Sequence, residues 1–235
     1  MIRSSKIWRS FSLVVIFAFV LPAQAQRGDF EQIDFTLAET RAEQYKGEDL
    51  YAVPILVHKL TANLQTDVEK FRAIYLWVCQ NIKGDYHLMV ENDQMRRKLK
   101  TDTLALMEWN AGFKKEIFQI LRKRKRTTCS GYSYLIKEMS ELAGLECAIV
   151  DGYGPINKLK EYELAIPNHS WNAVKLNDKW YLCDATWAAG YTDLTTYLFE
   201  FDYDDQYFLM PPEEFAKTHK PENPQWMLLG ELATD

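Results

Sequence analysis

Residues 66 to 83, TDVEKFRAIYLWVCQNIK, place apolar side chains at Phe71, Ile74, Tyr75, Val78 and Ile82. Steps of three and four residues collect these on one helix face, and Thr66 with Glu69 makes a capping-box pattern at its start. A second helix is predicted over about 48 to 62, started or interrupted by Pro54, and a third over 113 to 124. The stretch from His87 to Trp109 is polar and has no period that assigns it. In RTTCSGYSYLIKEMSELAG, residues 126 to 144, an apolar stripe (Tyr134, Leu135, Met139, Leu142) and a terminal Gly144 predict a helix beginning near Ser130. Beyond Gly144 the period shortens toward two. ECAIVDGYG (146–154), NHSWNAVKL (168–176) and KWYLCDATW (179–187) read as strands, the last two joined by Asn177-Asp178, a tight hairpin signal. The pattern predicts an α+β arrangement, a helical N-terminal half packed on an antiparallel sheet. An aromatic, proline-rich tail from about 206 is expected to wrap onto the body.

The N-terminus reads differently. Arg3, Lys6 and Arg9 precede an apolar run, Phe11 to Leu21, and then Ala23-Gln24-Ala25. This is the layout of a secretory signal peptide, with cleavage expected after Ala25 and an uncleaved anchor as the alternative. The run is short for a membrane span, and no cysteine follows the cleavage site to carry a lipid. Processing leaves residues 26–235 as one expected domain, with its motif-bearing core at about 66–190 and no stable membrane span. The expected location is therefore periplasmic or secreted. Loss of three cations leaves 25 Lys and Arg against 33 Asp and Glu, a formal −8. Such an acidic chain argues against nucleic acid as a partner. The basic run RKRKR, Arg122 to Arg126, then reads as a solvated helix end whose cations complement the helix dipole. Its position just ahead of Cys129 would also let it add positive potential there.

Four cysteines in an exported chain raise the question of disulfides. Cys79 lies in a helical pattern, whereas Cys147 and Cys183 lie in strand-like runs. A Cys147–Cys183 bridge across neighbouring strands is conceivable; buried thiols are the favoured reading. Cys129 has polar neighbours and stands at a predicted helix N-terminus, where unpaired N–H groups and the dipole favour a thiolate. A buried structural thiol is the competing reading for this stretch taken alone. The hairpin weighs against that alternative. Around Asn177-Asp178, paired positions sum to about 355, so Asp184 stands opposite about residue 171, diagonal to His169 and on its face. A carboxylate so placed fixes a histidine's tautomer, and Cys129, His169 and Asp184 together make an activated-thiol triad. Alternation turns Cys183 away from that face.

TCSGYS, HSWNAVKLNDKWYLCDATW and the upstream IYLWVCQNIKGDY, in this order and spacing, resemble the transglutaminase-like superfamily, with its papain-like fold. The tail pattern, YFLMPPEEF then THKPENPQWMLL, is similar to the kyphoscoliosis-peptidase-like branch. The resemblance covers roughly residues 48 to 230. It implies Cys129 as nucleophile, His169 as general base and acid, and Asp184 as orienting carboxylate. Two departures from the usual pattern are Gly84-Asp85-Tyr86 after the helix and Cys183 before Asp184. The Cys129 N–H is one expected oxyanion donor, and Gln80, Asn81, Trp109 and Asn110 are candidates for the second. His58 reads as a packed or surface residue, His87 as part of a polar loop, and His219 as a residue fixing the tail. No cofactor is expected, and no Cys/His spacing suggests a metal.

The function expected is an exported cysteine enzyme that hydrolyses peptide or amide bonds through a thioester. Its substrate would be a protein or peptide, with the cell envelope as one source. A cross-linking transglutaminase and a catalytically silent binding module of the same fold are the alternatives.

Overall fold

The computed structural model describes residues 27–155 and 166–229. The predicted signal peptide, residues 1–25, lies outside the described residues.

After α1 (Thr36–Gln44) and α2 (Val53–Thr61, with Pro54 in its first turn), the chain enters α3 (Asp67–Asn81). Its capping box forms as the sequence suggests: Thr66 Oγ1 accepts from the Glu69 N–H, and Glu69 receives the Thr66 N–H. Eleven of its 15 residues are buried, so α3 runs through the protein rather than over it. Phe71, Ile74, Trp77 and Val78 pack there with Tyr132, Ile136 and Met139 of α6 (Cys129–Leu142). Each large apolar side chain so buried contributes about 1.5–3 kcal/mol relative to exposure.

The main sheet has the order β5-β4-β3-β8 and is antiparallel throughout, with β3 (Cys147–Tyr153), β4 (His169–Leu176), β5 (Lys179–Cys183) and β8 (Lys220–Pro221). The hairpin register is the expected one, Asn172 opposite Cys183 and Ala173 opposite Leu182. Asn177 and Asp178 both have positive φ, 50° and 62°, as a tight two-residue turn requires. Asn172, Val174 and Cys183 face the helices, and Trp171, Ala173 and Leu182 face the other way. That second face is covered by the tail, through Phe215 of α8 (Pro212–Phe215), Trp226 and Leu228. At Gly152 the tail comes so close that a Cβ would stand 2.3 Å from the Lys220 carbonyl oxygen.

Two features differ from the sequence reading. The stretch left unassigned is helical: α4 (Tyr86–Leu99) is followed by α5 (Thr103–Arg124), which extends the predicted 113–124 helix by ten residues. Asp85 and Asp102 cap them by accepting the N–H groups of Leu88 and Ala105. They bury few side chains, chiefly Leu88, Phe113 and Ile117, so their sequences carry little apolar period. The last strand ends at Cys183 rather than continuing to 187, because Asp184 caps the short α7 (Ala185–Ala189). Cys147 and Cys183 are buried free thiols, as the favoured reading had them, and they lie on strands that flank β4 rather than on neighbouring strands. Two strand spacings, about 9.5 Å, exceed the reach of a disulfide.

Two small pairs complete the fold. β1 (Lys83–Gly84) runs parallel to β2 (Arg126–Thr127), and β6 (Gly190–Asp193) pairs with β7 (Leu198–Phe201). No helix among the described residues is long and apolar enough to cross a membrane.

Candidate active site

Cys129 is the first residue of α6, with Thr128 as its N-cap. The Thr128 side chain makes no capping bond, so the first turn keeps N–H groups free of a side-chain cap. Two contacts hold that turn in place. Asn172 of β4, fully buried, donates to the Ser133 carbonyl at 2.9 Å. Gly131 lies so near β2 that a Cβ would sit 1.8 Å from Thr127 Oγ1, which explains the glycine in TCSGYS. The half-buried Cys129 thiol therefore lies beside the first residues of β4, where the His169 ring and the Ser170 backbone N–H act on it.

His169 Nε2 stands 2.6 Å from Asp184 Oδ2, leaving Nδ1 for the sulfur. Asp184 is fully buried. Its Oδ1 accepts the N–H groups of Thr186 (2.8 Å) and Trp187 (3.2 Å) at the start of α7. The carboxylate is thus oriented by a helix start as well as by its histidine. The structure brings together the three residues singled out in the sequence.

Electrostatics follow from this geometry. Burial would push the Cys129 thiol up, but the bond and charge of His169, with the Ser170 N–H, outweigh it and leave the thiol below its ordinary range. Burial alone would lower His169; attraction and hydrogen bonding to Asp184, then to Cys129, carry it up to about 10. Asp184 loses solvation too, yet His169 and a second histidine hold it far below the usual carboxylate range. These shifts favour a thiolate beside an imidazolium. The other thiols are moved the opposite way by burial: Cys147 to about 12, and Cys79 and Cys183 well above the ordinary value.

The pair opens onto a cleft of about 380 Å³. Its walls come from the α4–α5 side (Arg96, Asn110, Lys114) and from the sheet side (Asp151, Ser170, Glu222). Of the second-donor candidates, Asn81 is engaged by the Trp77 carbonyl and the Gly47 N–H, and Trp109 Nε1 by Asn92. Asn110 lines the cleft; Gln80 does not. Arg122 to Arg126 lie outside it: Arg122 stacks over Tyr51, Lys125 reaches the Gly47 carbonyl, and Arg126 pairs with Asp85.

The sequence profile of the transglutaminase-like superfamily matches residues 55–185, a span that contains all three site residues. The chain belongs to the transglutaminase-like superfamily. It is 34% identical over 200 residues to kyphoscoliosis peptidase of Homo sapiens, covering 80% of this chain and 27% of that protein. It is 27% identical over 219 residues to Hillarin of Drosophila melanogaster, covering 85% and 23%. The chain thus spans about a quarter of the length of these curated relatives. A solved TGase structure is a distant likeness, with a TM-score of 0.38 at 17% identity over 73% of this chain and 41% of that one.

Within this transglutaminase-like fold the two departures have local explanations. Asp85 caps α4 and pairs with Arg126, and Cys183 fills the core behind the sheet. The sequence reading set His219 aside, yet its Nε2 stands 3.1 Å from the same Asp184 Oδ2. His169, Asp184 and His219 offer ligand atoms within 4.8 Å of one another, the kind of group that could hold a metal. Both ring Nε2 atoms, however, are already directed at one carboxylate oxygen. The spacing of His219, in a tail far from the other motifs, carried no signal for this contact; the apolar residues that seat the tail on the sheet were the only clue.

Proposed function

We propose that the protein is an exported cysteine-dependent acyl-transfer enzyme that hydrolyses peptide or amide bonds. The observation that carries this reading is the Cys129 thiol at a helix start, lining an open cleft together with a His169 that is bonded to a buried Asp184. Cys129 Sγ attacks the acyl carbon, and the oxyanion is met by the Cys129 N–H with a side chain such as Asn110. The C–N bond breaks as His169 gives its proton to the leaving amine, leaving a thioester on Cys129. Water, deprotonated by His169, then attacks the thioester, releasing the acid and returning the proton to the Cys–His pair. Asp184 keeps the ring oriented and balances its charge throughout. An amine in place of water would make the same intermediate a cross-linking one. Hydrolysis is favoured because a relative at 34% identity is named a peptidase. The substrate in this reading is a protein or peptide, met outside the cytoplasm.

The test is to mix the full chain with an activated peptide ester, quench in acid, and weigh the protein. A Cys129-borne acyl adduct that turns over in water is expected, and a primary amine should not accelerate its loss. Absence of the adduct in folded protein would leave a binding module of the same fold.

A further inference from the structure

Asp184 accepts four N–H groups: two backbone N–H groups on Oδ1, and two imidazoles, His169 and His219, on Oδ2. The chemistry proposed above uses only one of the imidazoles. His219 is 1% exposed and is clamped between Phe215, with ring centroids 3.9 Å apart, and Trp187, at 4.3 Å. Its Nδ1 stands 2.9 Å from Thr218 Oγ1. A carboxylate oxygen only accepts, so Nε2 must carry the proton. The hydroxyl of Thr218 can then donate to a bare Nδ1. A neutral ring satisfies both contacts, and burial also lowers the tendency of His219 to take a second proton.

Orientation of Asp184 does not require His219, since Oδ1 is already fixed by the start of α7. What the second imidazole changes is charge. We infer that His219 is a positioning residue that tempers the base: its N–H takes up part of the Oδ2 charge and so lowers the basicity of His169. A buried, otherwise undiluted carboxylate would hold the imidazolium too firmly for it to give its proton to a leaving amine. The groups facing His169 are Cys129 of α6, Asp184 after β5 and His219 ahead of β8. Asp151 of β3 lies beside it but is bonded to Ser170. Arg96 of α4 and Glu222 after β8 line the same cleft. The tail therefore sets the working range of the site as well as covering the sheet.

The inference rests on the proposed acyl-transfer reading, and its test is an equilibrium titration that needs no turnover. In the full chain carrying Cys129→Ser, the His169 ring nitrogens are followed by NMR as pH is raised, with and without His219→Phe. Phenylalanine keeps the stacked ring and removes the donor. The midpoint of His169 is expected to rise by about half to one pH unit. His219→Gln, whose amide N–H can still reach Asp184, should return most of that shift. An unchanged or lower midpoint in folded His219→Phe overturns the inference. Should that variant not fold, the unsubstituted chain decides. His219 is expected to stay neutral, protonated on Nε2, with its Nε2 shift moving at the His169 midpoint. A cationic His219, a proton on Nδ1, or no response to His169 overturns it. Iodoacetamide labelling of Cys129 in the unsubstituted chain separates the two readings: slow labelling there defeats the acyl-transfer chemistry, whereas fast labelling there with a His169 midpoint unmoved by His219→Phe defeats only the role of His219.

Discussion

The two walls of the cleft are built on different principles. On the sheet side, Cys129, His169 and Asp184 project from elements anchored in the main core, where α3 buries 11 of its 15 residues. On the opposite side, α4 buries only Leu88, and the 22-residue α5 only Phe113, Ile117 and Leu121, while Leu104 and Met107 stay about two-thirds exposed. The proposed chemistry requires these three to keep their geometry to within a fraction of an ångström, and they sit where packing over-determines them. In the proposed chemistry the opposite wall only receives substrate, a role that tolerates looser packing.

The largest contrast should come from the proposed nucleophile. Cys129→Ala is expected to abolish the acyl adduct, seen by intact mass, with urea stability nearly unchanged. Asp184→Asn comes next. Loss of a triad carboxylate costs about 10⁴-fold in serine proteases, and a thiol that is already part ionised needs less help, so acylation should fall by about 10² to 10³. The amide NH₂ would also face two imidazole N–H groups, so unfolding free energy should drop by about 1–3 kcal/mol. Acylation near wild type in folded Asp184→Asn would reduce the site to a Cys–His pair.

Packing tests the two walls directly. Phe71→Ala in the main core is expected to cost about 3–5 kcal/mol globally. Phe113→Ala should cost less, about 1–3 kcal/mol, and should raise hydrogen exchange in α4 and α5 well before the rest of the chain. Equal costs with uniform exchange would mean that the walls do not differ.

The pH response sharpens the same contrast. Iodoacetamide should label Cys129 at pH values where Cys147, at about 12, and the other buried thiols remain silent. The stability contributed by the depressed Asp184 is present above its unfolded value, about 4, and is lost as pH falls below that. The stability contributed by the raised His169 is complete below about 6.5 and is lost as pH climbs through about 10. Urea midpoints should therefore be highest, as far as this pair contributes, between about pH 4 and 6.5. Smallest of all, Arg96→Ala removes the 2.8 Å bond that α4 makes to the Pro167 carbonyl. It should raise KM a few-fold, worth about 1 kcal/mol, with kcat held, as expected of a group that binds without reacting.

How much of this was legible depended on how locally each feature is specified. α3 announced itself through a dense apolar period and a capping box, the hairpin through Asn177-Asp178, and the nearness of His169 to Asp184 through pairing arithmetic whose register is seen at Asn172 and Cys183. These are near-neighbour properties: helix period, turn geometry and strand alternation act over a few residues, and side-chain order alone encodes them. α4 escaped because a helix burying one side chain leaves almost no period, and the 179–187 strand was overrun because Asp184 prefers to cap a helix. Whether Cys147 could bridge Cys183 turned on which strand lies between them. The second imidazole on Asp184 comes from 35 residues further along, carried there by Phe215, Trp226 and the pairing of Pro221 with Gly152. Contacts of that kind are decided by tertiary packing, because the free energy that makes them is the burial of distant apolar faces, which no local pattern records.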